Sequence, residues 1–318
     1  MHKQKVILAG GSGFLGRTLV PELVERDYEP VILTRTPDAA IPGARLVPWD
    51  AETVGAWAAE LEGARAVFGL AGKSVNCRYT PDAVKQINQS RVRSTRALGD
   101  AIHRCAEPPE VWVQASSLAI YGDAGERECT EAAPAGSGIP AETCLAWEQA
   151  FAESPTPRTR RVLLRISLVL KRDAGALEML GRLTRLGLGG TLGHGRQYIS
   201  WIHWQDMNAL CLRALEDDSL SGCFNATAPA PVPNSTFMKE LRDALHRPWS
   251  PPVPRWIVPF GCWLMRTEPV LGLTGRRGLP ARLQESGFSF AFPEVRSALR
   301  DIFQAESEPP PPSKDTAN

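Results

Sequence analysis

Several things are scarce in these 318 residues, and each scarcity removes a class of function. Charge of one sign is balanced: 36 Lys and Arg face 35 Asp and Glu, a formal net charge of +1. A nucleic-acid binder needs a clustered basic face to neutralise phosphates, so that class has no electrostatic basis here. Long apolar runs are missing too. The longest, Trp256 to Met265, is broken by Pro259 and Gly261 and falls far short of the roughly 20 residues of a membrane span. Nothing resembling a secretory leader precedes the first apolar run at Val6. Paired cysteines are absent: Cys77, Cys105, Cys129, Cys144, Cys211, Cys223 and Cys262 are scattered, with no CxxC. They read as reduced thiols of a cytoplasmic protein, and their spacing fits no zinc site, so no metal is expected. The remaining composition, 43% apolar and 22% charged, is that of a globular chain long enough to bury a core without staples.

Short β-rich runs alternate with amphipathic stretches through the first half. Lys5–Ala9, Pro30–Thr34, Arg45–Pro48, Ala66–Leu70, Val111–Ala115 and Val162–Ile166 are mostly continuous apolar runs, as strands covered on both faces of a parallel sheet should be. Helical spacing marks Leu15–Glu25 and the long Ala83–Cys105 segment. This alternation predicts right-handed βαβ units in an α/β fold, a Rossmann-type doubly wound parallel sheet. Beyond Leu170 glycine and proline clusters interrupt the pattern, with short helices over Asp206–Leu215 and Thr236–Leu245. The expected organisation is a nucleotide-binding domain over 1–170, completed by a segment near 200–228, and a smaller C-terminal α+β substrate domain over 171–303. Residues 304–318, with four consecutive prolines, are expected to form a disordered tail.

The strongest local signal is Val6-Ile-Leu-Ala-Gly10-Gly11-Ser12-Gly13-Phe14-Leu15-Gly16. A buried strand runs into a glycine loop that opens a helix. Gly10 permits the turn, Gly13 lets backbone approach a pyrophosphate, and Gly16 lets helix and strand pack closely. A lone glycine pattern also occurs in purely structural turns, but here strand, loop and helix agree. At the end of the second strand an acidic residue would bind a ribose 2′-hydroxyl. This chain has Leu33-Thr34-Arg35-Thr36 instead, a guanidinium and hydroxyls suited to a 2′-phosphate. NADP(H) is the expected cofactor, although Arg35 could also be an ordinary surface arginine.

Together with Ser116-Ser117-Leu-Ala-Ile-Tyr121-Gly122, these residues resemble the extended short-chain dehydrogenases/reductases. More narrowly the chain is similar to an atypical epimerase-like branch, some members of which are called cell-division-inhibitor-like. The resemblance rests on Leu70-Ala-Gly72-Lys-Ser74, Ser90-Arg91, Trp147-Glu148, Leu192–Gln197, Trp201–Asp206, Asn225–Pro229, Leu279-Pro280 and Gly287–Phe290. It covers nearly everything from Val6 to about Phe303. It implies that Gly10, Ser12, Gly13, Phe14, Leu15, Gly16, Thr34, Arg35, Leu70, Ala71, Gly72, Gln86, Arg91, Ser116, Arg165 and Val169 bind the cofactor, and that Ser117 serves catalysis.

The superfamily's usual Tyr-x-x-x-Lys pair, in which the lysine eases tyrosine ionisation, is replaced. Cys144 stands at the tyrosine position and Glu148 at the lysine position. At i and i+4 they share a helix face, and the carboxylate disfavours the thiolate. Cys144 therefore reads as a packed thiol, and neither residue is expected to be catalytic. Other proton carriers are Tyr121, Lys73, His194, Arg196, Tyr198 and the His203–Asp206 pair, the last readable as helix capping. Trp147, Trp201 and Trp204 read as packing. Ser167 and Lys171 stand where the branch usually has glycines, so its substrate class does not transfer. Two readings follow: an NADP(H)-dependent oxidoreductase or epimerase-like enzyme acting on a small carbonyl or hydroxyl compound, or a non-catalytic NADP(H)-responsive regulator linked to cell division. Either would act as a monomer or homodimer.

Overall fold

The computed structural model describes residues 3–304. The expected tail lies outside these residues from 305 onward, while Gln304 ends the last helix.

The chain opens with β1 (Lys5–Ala9), α1 (Phe14–Glu25), β2 (Glu29–Thr34), β3 (Arg45–Pro48), β4 (Ala66–Gly69), α2 (Pro81–Arg104) and β5 (Val111–Ser117). Proline at the first position of α2 costs no hydrogen bond, and the Thr80 hydroxyl caps that helix by accepting from the Ala83 N–H at 3.2 Å. Then come β6 (Glu128–Cys129), α3 (Ile139–Glu153), β7 (Arg160–Ile166), β8 (Leu168–Leu170), α4 (Gly175–Arg185), β9 (Tyr198–Ile199), β10 (Trp201–His203), α5 (Trp204–Glu216) and β11 (Gly222–Ala226). The described part ends with β12 (Val232–Pro233), α6 (Asn234–Ala244), α7 (Val258–Leu264), α8 (Val270–Leu273), β13 (Arg277–Gly278), α9 (Ala281–Glu285) and α10 (Val295–Gln304).

Seven strands form one parallel sheet in the order β11-β7-β5-β4-β1-β2-β3. This is the expected doubly wound architecture. The chain leaves β1 for β2 on one side and returns to β4 on the other, so a crevice opens at the carboxyl ends of β1 and β4. Ligands bind at such switch points. Leu19 and Leu23 of α1 pack with Met207 and Leu210 of α5 on one face. Ala97, Leu98 and Ile102 of α2 pack with Trp112 and Phe151 on the other. Leu177, Trp201, Phe237, Leu241 and Leu299 belong to a separate core built mainly from the second half of the chain. β5 runs two residues beyond the expected end, carrying Ser116 and Ser117 to the sheet's edge. Among the described residues, no helix is long and apolar enough to cross a membrane.

Candidate functional site

The glycine loop is held by its own backbone. Gly10 (φ 80°) donates to the Leu33 carbonyl at 2.9 Å, Gly11 to Leu8 at 3.0 Å, and the Gly13 N–H to Gly10 at 3.2 Å. A Cβ on Gly10 would come within 2.7 Å of the Ala71 backbone, and one on Gly16 within 2.2 Å of the Gly11 carbonyl. Gly13 differs. A Cβ there would meet only the Gly10 oxygen, at 3.5 Å. Gly13 caps α1 with extended backbone and no side chain. The helix's first N–H groups, from Phe14 to Gly16, therefore lack intrahelical partners and can face an anion.

In front of this loop lies a cavity of about 650 Å³. Of the residues expected to hold the cofactor, Gly10, Ser12, Gly13, Thr34, Arg35, Leu70, Ala71, Gly72 and Gln86 line it. Phe14, Leu15, Gly16, Arg91, Ser116, Arg165 and Val169 do not. Phe14, Leu15 and Val169 pack in or against the core, and Arg91 lies behind Gly72, 3.2 Å from where a Cβ would be. Leu33, Thr36, Trp49, Asp50, Ala51, Glu52, Lys73, Gln89 and Ser90 are additional walls. Trp49 to Glu52 follow β3, which the sheet order puts beside β2.

Charge around the cavity suits an anion. Arg35 is exposed, with no carboxylate partner among the described residues. The nearby acids are occupied. Asp50 accepts from the Glu52 and Thr53 N–H groups, both at 2.9 Å, and the Thr53 hydroxyl and these N–H groups hold its carboxyl below the usual range. Glu52 pairs with Arg93 at 2.8 Å. The Thr34 hydroxyl reaches the Ser12 hydroxyl at 3.1 Å.

A second cluster stands at the carboxyl end of β5. The Ser116 hydroxyl donates to Glu148 Oε1 at 2.6 Å, and Arg165 grips the same carboxylate through Nε at 3.0 Å and Nη2 at 2.9 Å. Burial opposes the Arg165 charge, but Glu148, together with Cys223 and Tyr121, holds the guanidinium above its ordinary value. Arg165 Nη1 donates to the Tyr121 hydroxyl at 2.8 Å. That hydroxyl also lies 2.9 Å from the Thr130 carbonyl and 2.8 Å from Asn225 Oδ1. Tyr121 is 1% exposed, and burial pushes it up to about 12. The one proton of the Tyr121 hydroxyl has two internal acceptors, the Thr130 carbonyl and Asn225 Oδ1. Arg165, likewise, is committed to Glu148 and Tyr121 rather than to the cavity.

Cys144 is buried, and its thiol is pushed up to about 11, by burial first and by Glu148 second. The Ser117 backbone lies against its sulfur. Ser117 is half-buried and its hydroxyl oxygen caps the following turn by accepting from the Ala119 N–H at 3.2 Å. Ser117 and Cys144 thus share one small region, and Tyr121 belongs to the same packed cluster as Cys144, with Leu118, Ile120 and Cys129.

His203, Asp206, Lys73 and His194 are also engaged. His203 caps α5 through Nδ1, 3.3 Å from the Gln205 N–H. Burial first, then Lys171, pushes it down to about 4. Its Nε2 lies 3.3 Å from Asp301 without hydrogen-bond alignment. Asp206 reaches across the fold to the Ala291 and Phe292 N–H groups at 2.8 and 3.0 Å. Lys171 sits over the Trp204 ring at 4.7 Å, Lys73 is hydrogen-bonded to Gln86, and exposed His194 accepts from the Arg196 N–H at 3.0 Å. Trp147 donates to Thr95 and Trp201 to the Ala230 carbonyl. Among the described residues, no cluster of three metal-capable side chains exists.

Residues 6–226, from β1 to the last residue of β11, match the description "NAD dependent epimerase/dehydratase family". The chain belongs to this family. A second match, a domain of unknown function (DUF1731), covers residues 253–302. Among relatives of this epimerase family, the chain is 34% identical over 309 residues to "Epimerase family protein SDR39U1 homolog, chloroplastic" of Arabidopsis thaliana, covering 94% of this chain and 86% of that one. It is 32% identical over 304 residues to "Epimerase family protein SDR39U1" of Homo sapiens, covering 94% and 99%. A crystal structure of human SDR39U1 (isoform 2) with NADPH superposes with a TM-score of 0.84 at 30% identity, covering 95% of this chain and 99% of that chain. A nucleoside-diphosphate sugar epimerase from Corynebacterium glutamicum gives a TM-score of 0.76 at 26% identity, covering 95% of this chain and 59% of that one.

Proposed function

We propose that this chain is an NADP(H)-dependent oxidoreductase or epimerase-like enzyme acting on a small carbonyl or hydroxyl compound beside Ser117. One observation carries the reading. The cavity at the switch point combines an open helix start behind Gly13 with exposed Arg35 at the end of β2, an arrangement suited to a pyrophosphate at one end and a 2′-phosphate at the other. The NADPH-bound human relative supports the same cofactor. Gly10, Ser12, Gly13 and the first turn of α1 would hold the pyrophosphate, Thr34 and Arg35 the 2′-phosphate, and Leu70, Ala71, Gly72 and Gln86 the middle of the crevice. Once bound, the cofactor supplies or accepts hydride.

The chain's own part is to orient the reacting oxygen. The Ser117 hydroxyl donates to it, and buried Cys144 keeps its proton and closes that wall against water. Tyr121, Glu148 and Arg165 fix the end of β5 rather than exchange protons. All seven thiols are free, and a reducing compartment, the cytoplasm in our reading, would keep them so.

The alternative, a non-catalytic NADP(H)-responsive regulator, is favoured by the raised proton affinities beside Ser117: Tyr121 lies near 12 and Cys144 near 11. One experiment separates them. NADPH binding is measured by calorimetry, and single-turnover NADPH oxidation is then followed with a panel of small aldehydes and ketones. Oxidation that falls about 10²-fold or more in Ser117→Ala supports the enzyme. Tight NADPH binding with no oxidation, accompanied by altered hydrogen exchange over residues 253–302, supports the regulator.

A further inference from the structure

We propose that the outer face of α7 docks on an anionic lipid surface, so that the protein binds a membrane peripherally. The proposal goes beyond the cofactor reading and does not depend on it.

α7 and the turn before it carry two apolar stripes at helical spacing. Val258, Cys262 and Met265 recur at i, i+4 and i+7; Val258 is buried and the other two are half-buried. Trp256, Phe260 and Trp263 repeat that spacing on the opposite side, where they are 79%, 66% and 58% exposed. Trp256 shares the helical path, because the Ile257 N–H bonds the Pro254 carbonyl at 2.9 Å and the Phe260 N–H bonds the Ile257 carbonyl at 3.0 Å. The Phe260 and Trp263 rings stack with centroids 6.1 Å apart. A surface helix ordinarily turns polar side chains to water. Here the outward side is aromatic, and neither the Trp256 nor the Trp263 indole N–H has a hydrogen-bond partner among the described residues.

The charge around this stripe has one sign. No acidic residue occurs from Ala244 to Thr267, whereas Arg247, Arg255 and Arg266 are exposed there. Arg255 adjoins Trp256, and the Arg266 N–H bonds the Trp263 carbonyl at 3.3 Å. Exposed Arg78, from the loop before α2, donates to the same carbonyl at 2.8 Å and lies 5.5 Å over the Trp263 ring. None of these four guanidiniums pairs with a carboxylate among the described residues. Glu268, the first acid after the segment, is half-buried and accepts from the Tyr79 N–H at 2.6 Å.

Exposed tryptophan flanked by arginine is what the headgroup layer of an anionic bilayer accommodates: rings enter the acyl boundary while guanidiniums meet lipid phosphates. A second copy of the chain fits less well. A two-fold contact uses the same patch on both copies, so it would gather Arg255 and Arg266 with their own counterparts. The three rings also expose only roughly 300–500 Å², below the about 800 Å² that each partner buries in a stable protein interface.

The test mixes the full chain with vesicles of phosphatidylcholine alone, and with vesicles of equal parts phosphatidylcholine and phosphatidylglycerol, and reads the bound fraction by flotation. Binding to the mixed vesicles is expected, with little to the neutral ones, and it should weaken as salt is raised. Trp256→Ser combined with Phe260→Ser should lower the partition coefficient about tenfold or more, and Arg255→Glu several-fold. These side chains are exposed, so circular dichroism and NADPH affinity should stay unchanged in both variants. If the double variant does not fold, Arg255→Glu and the salt series still decide. No binding to the mixed vesicles overturns the proposal, as does equal binding to neutral and anionic vesicles, or a partition unchanged in the variants. Dimerisation in sedimentation experiments that the double variant loses, without vesicle binding by the parent, would give this face to a second copy and also overturn it.

Discussion

The Thr34 hydroxyl lies 3.1 Å from the Ser12 hydroxyl, joining the end of β2 to the glycine loop across 22 residues of sequence. Beside this contact Arg35 stands at the cavity rim, with no acid paired to it among the described residues. Arg35→Asp should therefore weaken NADPH binding by about 1.5–3 kcal/mol, the scale of one charge-assisted phosphate contact, and favour NADH instead. Calorimetry with both cofactors checks this; equal affinity in the parent protein would remove the claim.

Gly13 and Gly16 should fail differently. A Cβ at Gly13 meets only one backbone oxygen at 3.5 Å, so Gly13→Val should fold, with normal circular dichroism, while losing NADPH. A Cβ at Gly16 would lie 2.2 Å from the Gly11 carbonyl, and Gly16→Ala should lower stability by about 1–3 kcal/mol, as overpacking does. Normal NADPH binding by Gly13→Val would show that the loop is not the phosphate site.

Cys144, buried and raised to about 11, should be alkylated by iodoacetamide much more slowly at neutral pH than a free thiol. Glu148→Gln removes the second cause of that elevation and should speed alkylation. Cys144→Ser should change any turnover by less than about 10²-fold, below the range of a general acid or base, and by less than Ser117→Ala. Rapid alkylation, or an equal loss in both variants, would identify the cysteine as the reacting group.

His203 predicts a pH dependence of stability. Its value falls from 6.5 to about 4 on folding, so between those limits the unfolded chain holds more protons than the folded one. Stability is then highest above pH 6.5 and declines as pH falls toward 4, by up to about 3 kcal/mol. His203→Gln should flatten that part of the profile in urea titrations at pH 4.5 and 7. A slope unchanged by the substitution would assign the effect elsewhere.

Local information explains what could be read from sequence. The ends of β1 and β3 match the apolar runs residue for residue, and the glycine loop was legible because strand, turn and helix start are contiguous. β11 escaped periodicity because Gly222-Cys-Phe-Asn-Ala carries a polar residue in its buried half. Asn225 is fully buried there because Tyr121, Cys129 and Leu279 use its amide. Asp50 and Glu52 reach the cavity through the neighbouring position of β2 and β3, which spacing does not encode. The pairing of Glu148 with Arg165 crosses from α3 to β7, and a helix-face argument based on Cys144 alone could not find it.

That pairing also constrains how the lineage of this site could change. Restoring the superfamily pair requires Cys144→Tyr together with Glu148→Lys, yet the new ammonium would meet Arg165 where Glu148 now lies 2.9 Å away. Replacing Arg165 first would strand the carboxylate and loosen Tyr121, whose hydroxyl the same guanidinium holds. Changing Glu148 or Arg165 alone leaves an unpaired charge in a poorly solvated place, a costly state. Glu148 and Arg165 are therefore energetically coupled. A return to tyrosine–lysine chemistry is blocked less by the missing residues than by the ion pair that now occupies their site.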